Sequence, residues 1–186
     1  MRIVNRRSVM LGTCAVLAMP SAALSTISGP EYFGVWQAVN LTSNITSDLE
    51  RQTPREKARS KGLGGMILGK AEVFMEVMGP ASPVRFKASE KMGFIFRVAS
   101  QREDPRNIIQ FSHVVPNGVR RRLAHLEYHA LGGGIQDEPS SAPLTYDVRK
   151  YGTEFFLLTP KPALQPGEYV LSLNSIADGF FFGVDV

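Results

Sequence analysis

Cysteine is nearly missing from this chain, which holds one in 186 residues, and histidine is scarce at three. A single Cys14 rules out an internal disulfide, so the fold must be held by packing. No apolar run approaches the roughly 20 residues that a spanning helix needs; the stretch from Val9 to Met19 is interrupted and short. Neither sign of charge dominates, with 21 lysines and arginines against 17 acids. The glycine-rich Gly62-Leu63-Gly64-Gly65-Met66-Ile67-Leu68-Gly69 lacks the lysine and hydroxyl residue of a phosphate-binding loop and reads as a connector. No serine sits in a nucleophile elbow, and no histidine and cysteine cluster has structural-zinc spacing.

What is present begins with an export signal. The first 25 residues, MRIVNRRSVMLGTCAVLAMPSAALS, place Arg2, Arg6 and Arg7 ahead of the apolar run, then Pro20 and small residues. That order marks a cleavable signal, with the cut expected after Ala23 or Ser25. Arg6-Arg7 followed by Ser8, Val9 and Met10 resembles the twin-arginine export signal of bacteria, an address read by a receptor. The alternative is an ordinary secretory signal whose basic end contains two arginines. Either route implies a periplasmic or secreted protein with no membrane anchor after cleavage. Leu11-Gly12-Thr13-Cys14 has the outline of a lipoprotein site, but threonine suits the position before the cysteine poorly. Without the signal the basic residues fall to 18 against 17 acids, so the basic balance leaves with it. Only Arg120-Arg121-Arg122 form a basic run, expected to be a solvated strand end, and nucleic acid is not expected as a partner.

Residues 26–69 read as a flexible leader to the main domain. Within it, Thr53-Pro54-Arg55-Glu56 combines an N-cap threonine, proline at the first helical position and a capping-box glutamate, predicting a short surface helix over 54–61. Trp36 falls in this leader, outside the expected core. From Lys70 the period changes to two: Ala71, Val73, Met75 and Val77 alternate with Lys70, Glu72, Phe74 and Glu76, and Met92, Phe94, Phe96 and Val98 with Gly93, Ile95 and Arg97. Further strands are predicted near 83–88, 107–115, 120–131, 144–149, 153–159, 167–174 and 179–185, separated by turns such as Pro116-Asn117-Gly118 and Asp178-Gly179. Short strands at this spacing indicate an all-β protein, an antiparallel β-sandwich over 70–186.

Leu164-Gln165-Pro166-Gly167-Glu168-Tyr169 resembles the corner where immunoglobulin-like and fibronectin-like sandwiches turn into their penultimate strand. The resemblance implies an immunoglobulin-like sandwich in which the Tyr169 hydroxyl bonds back to upstream backbone. The inter-sheet cysteines of antibody domains are absent, which points to a generic sandwich. From about Ser82 to the final FFFGVDV the chain also resembles exported bacterial β-sandwich proteins of unknown function that end in a PGEY turn and a phenylalanine-rich strand. That likeness implies a fold and no activity.

The candidate sites are few. On the strand from Arg120, the residues Ala124, Leu126, Tyr128 and Ala130 form one face, leaving Leu123, His125, Glu127 and His129 on the other. His125, Glu127 and His129 could share a zinc, since alternate strand residues project alike. They supply three ligands at most, and no other histidine or cysteine cluster adds a second shell. We read them as a wet strand face. His113 shares a face with Ile109, Phe111 and Val115 and is expected half-buried, and Asp137-Glu138 reads as a solvated acidic turn. The expected function is therefore binding by an exported sandwich, without catalytic residues or cofactor, toward an unknown protein or small-molecule partner. The glycine-rich loop from Leu131 to Pro143 is the expected contact. The alternative is a metal-binding protein or metalloenzyme using His125, Glu127 and His129.

Overall fold

The segments with period two form strands. The computed structural model describes residues 29–60, 70–99, 104–129, 136–137, 143–174 and 177–186, with backbone alone for 58–60, 70–72, 124–129 and 136–137. From Lys70 onward these are β5 (Lys70–Met78), β6 (Arg85–Lys87), β7 (Met92–Arg97), β8 (Ile109–Asn117), β9 (Arg120–His129), β10 (Gln136–Asp137), β11 (Tyr146–Tyr151), β12 (Phe155–Pro160), β13 (Gly167–Leu173) and β14 (Gly179–Asp185). Ahead of them lie β1 (Trp36–Asn40), β2 (Thr46–Asp48), β3 (Glu50–Gln52) and β4 (Arg55–Ser60). One five-stranded sheet runs β11-β12-β7-β1-β2, and a larger one runs β3-β14-β13-β8-β9-β5-β4, with β10 beside β9. All pairings are antiparallel except that of β6 with β14.

The core fills the space between the sheets. From the five-stranded sheet come Trp36 and Ala38 of β1, Phe94 and Phe96 of β7, and Phe156 and Leu158 of β12. Facing them are Phe111 of β8, Tyr169 and Leu171 of β13, and Phe180, Phe182 and Val184 of β14. Alternate residues supply the core, as strands that bury one face require. The rings interlock at offset or tilted angles, with centroids 4.7 Å apart for Phe94 and Phe182 and 5.4 Å for Tyr169 and Phe182.

Three expectations need correction in the region preceding Lys70. Trp36 lies inside the sandwich, fully buried and stacked on Phe96 at 4.1 Å. The expected leader contributes strands to both sheets, because β1 completes the five-stranded sheet between β7 and β2 while β3 extends the larger one beside β14. The helix predicted over 54–61 is strand β4, paired with β5 from Arg55 opposite Glu76 to Ser60 opposite Ala71. An isolated eight-residue helix with no apolar face is marginal in water, whereas the edge of β5 offers a complete ladder. The capping hydroxyl is also engaged elsewhere, for Thr53 Oγ1 donates to Asp178 Oδ1 at 2.5 Å.

The larger sheet buries part of its outer face too. Val170 and Phe181, on the reverse of β13 and β14, pack with Val77 of β5, Val114 of β8 and Leu123 of β9. Plain alternation fails here: Phe74 and Glu76 are buried while Met75 and Val115 are exposed. The pairing of β5 with β9 slips between Met75, opposite Ala124, and Glu76, opposite Arg122, leaving Leu123 as the extra residue of a bulge.

Candidate binding site

The two sheets part at one end of the sandwich. The turn after β6, Ala88 to Lys91, is held by bonds from Ala88 N–H to the Asp185 carbonyl at 2.8 Å and from Leu41 N–H to the Lys91 carbonyl at 2.8 Å. Across from it runs the connection from β12 to β13, which carries Ala163 and Leu164. Between them opens a cavity of about 410 Å³, floored by Phe86, Phe182 and Val184 and walled by Leu41, Met92 and Leu164. Its size falls in the range of small-molecule sites, about 300–1,000 Å³. Charge appears only at the mouth. Lys87 and Lys91 are exposed there. Glu90 between them is tied down, accepting from Asn40 Nδ2 at 3.2 Å and Lys87 N–H at 3.3 Å.

The PGEY turn sends its two side chains to opposite faces of β13. Tyr169 enters the core, nearly fully buried, and its hydroxyl donates to the Gln165 carbonyl at 2.5 Å. Burial pushes the phenol above its ordinary pKa. His113 of β8 lies opposite it, half-buried, with ring centroids 4.7 Å apart, and burial holds the imidazole below its ordinary value.

Glu168, on the other face, anchors a chain of charges that runs from the buried Arg121 out to the exposed Asp185. Its carboxylate accepts from Ser82 N–H at 2.8 Å, pairs with Arg85, and lies 3.6 Å from Arg121 Nη1. Arg121 is 0% exposed. It reaches Glu50 at 2.8 Å and the carbonyls of Gly79 and Met78 at 3.2 and 3.1 Å, and its guanidinium sits 5.0 Å from the Phe181 ring centroid. Arg85 continues the chain to Asp185 at 2.5 Å, which holds that carboxyl below the ordinary range. This overturns the expectation of a solvated basic run. Arg120 and Arg122 are half-exposed and share the buried Glu76 at 3.2 and 3.6 Å, but Arg121 between them points inward. The alternation of a strand forces the middle residue of three to the face opposite its neighbours.

The other candidates are placed less fully. His125, Glu127 and His129 lie on β9 opposite Phe74, Glu72 and Lys70; their side chains are outside the description. The export signal with Arg6 and Arg7, the connector 62–69 and most of the loop from Leu131 to Pro143 lie outside the described residues. Within that loop, Gln136 and Asp137 form β10 against β9, and Pro143 bridges Ser112, so Asp137 belongs to a strand and not to a turn. Among the described residues no helix is long and apolar enough to cross a membrane.

Sequence reasoning missed both the cavity and the inward arginine. A signal for the second exists in β13 and β14, where Val170 and Phe181 make the strands' second face too apolar to stand in water and Glu168 beside them calls for a cation once that face is buried. Together the fold and the site define an antiparallel β-sandwich with an apolar cavity at one open end. Comparison with protein-family models, with curated proteins and with solved structures finds no match.

Proposed function

We propose that this is an exported protein that acts in the periplasm or outside the cell by binding, with the cavity between Phe86, Phe182 and Leu164 as its site. One observation carries the reading: a preformed apolar cavity opens to solvent at the end of a rigid sandwich, the kind of concavity that small-molecule sites use. The titratable groups of its lining, Lys87, Glu90 and Lys91, stand at the mouth, which suits orientation of a bound molecule more than attack on it. The signal-like first 25 residues support export.

The test is titration of the full chain with Nile red, a neutral apolar dye. Saturable one-to-one binding is expected, lost in Ala163→Trp, which fills the mouth from an exposed position. Dye binding that is non-saturable, or indifferent to Ala163→Trp, would remove the cavity as the site. Export is tested separately in the native host: Arg6→Lys with Arg7→Lys should block it if the twin-arginine receptor reads the signal, and undiminished export assigns the ordinary secretory route.

A further inference from the structure

We propose that the cavity takes a single-chain amphiphile with one negative head group, a medium-chain carboxylate, its tail between the sheets and its head at Lys87 and Lys91. This rests on the reading of the cavity as a binding site and adds the chemistry of the ligand.

The lining decides the tail. Leu41, Met92 and Leu164, half-buried, with the edges of Phe86 and Val184 beneath them, offer carbon surface to whatever enters. A sugar or nucleotide buried there would lose its bonds to water without replacement, which is costly, whereas a hydrocarbon loses nothing. A volume of about 410 Å³ suits a tail of roughly eight to twelve carbons.

The mouth decides the head. Of its three charged residues Glu90 is the one already engaged, by Asn40 and by the backbone of Lys87. No ion pair is formed by Lys87 or Lys91 among the described residues, and nearby Asp185 is occupied by Arg85. The rim thus carries one net positive charge on two free ammonium groups, complementary to a monoanion more than to a phosphate dianion. Placed at the mouth, the lysines keep their heads hydrated while meeting a carboxylate at the level where a tail would end.

Calorimetry on the full chain with decanoate, decanol, decyltrimethylammonium and decyl phosphate, each below its micelle concentration, separates the claims. Decanoate is expected to bind one-to-one and most tightly, with affinity rising about fourfold per methylene from six to ten carbons. Lys87→Glu with Lys91→Glu should weaken decanoate roughly tenfold, as reversal of two exposed charges allows, and leave decanol and the melting temperature unchanged. Glu90→Gln should strengthen decanoate. If decanol binds as tightly as decanoate and neither responds to the charge reversal, the head-group assignment falls while the cavity stands. Tighter binding of decyl phosphate replaces carboxylate by phosphate and overturns the proposal. If no probe binds saturably, or Ala163→Trp leaves binding intact, the cavity reading falls with it.

Discussion

Strands β13 and β14 are buried on both faces, and the two faces are closed by different chemistry. Toward the five-stranded sheet they present Tyr169, Leu171, Phe180 and Phe182 to other rings and aliphatic chains. On the reverse they present Glu168, Val170 and Phe181, closed by Arg121 and Glu50 from β9 and β3. The apolar face needs shape and area, so each side chain contributes nearly by itself. The charged face needs every partner at once, because an ion pair recovers its desolvation only when its geometry is complete. Arg121 is fixed by two carboxylates, two carbonyls and a ring, and removing it takes the arginine from Glu50 and leaves Glu168 with Arg85 and Ser82 alone.

Breaking each face once gives the sharpest contrast. Phe111→Ala in the core and Arg121→Met on the reverse are each expected to cost about 3–5 kcal/mol, read from the urea midpoint, one by its cavity and the other by uncompensated buried charge. The difference lies in rescue. Adding Glu50→Gln and Glu168→Gln to Arg121→Met should restore part of the loss, since the carboxylates that faced Arg121 are neutralised with it while Arg85 keeps Asp185. A triple variant no more stable than Arg121→Met would show that the arginine stem holds the reverse face by packing, and the contrast would disappear.

Smaller effects test the junction of the two faces at the PGEY turn. Tyr169→Phe removes the bond to Gln165 and should cost about 1 kcal/mol, the scale of losing one hydrogen bond; an unchanged denaturation midpoint would mean the ring alone matters. His113, packed on Tyr169, has a folded pKa lowered by burial from 6.5. The unfolded chain therefore takes up a proton first as pH falls, so stability is full above about 6.5 and declines below it toward the folded pKa. Melting curves across pH 7.5 to 5 should show that decline, and His113→Gln should flatten it.

The smallest effect is expected at the far end of β9. If His125 and His129 face water, His125→Ala with His129→Ala should stay within about 0.5 kcal/mol of the parent, as surface changes do. Elemental analysis of untagged protein should then find no stoichiometric zinc or copper. One metal per chain, lost in the double variant, would make this end of β9 a metal site, in contrast to the structural end at Arg121.

How far the sequence could be read depended on the distance between partners. The strands after Lys70 were legible because period two is local, and so was the corner at Tyr169, whose acceptor lies four residues upstream. β4 was misread because its cue, Thr53-Pro54-Arg55-Glu56, is a local helix signal overridden by the edge of β5 and by Asp178 from the far end of the chain. Arg121 was misread because a run of three arginines says nothing of which acids await it, and the bulge at Leu123 shifts the faces along the strand. The cavity was invisible, since Leu41, Phe86, Leu164 and Phe182 come from four separate segments.

Alternation of apolar and polar residues, turn residues between them and the absence of a usable disulfide determined by themselves that this chain would be an antiparallel β-sandwich held by packing. Each of those properties acts within a few residues, through backbone geometry and the exclusion of carbon from water. Only the tertiary structure decided that Trp36 belongs to the core, that Arg121 is buried while its neighbours are not, and that the sheets part beside Lys87 and Lys91. Burial and ion pairing depend on which segments meet, and segments far apart in the chain meet only when the sheets assemble.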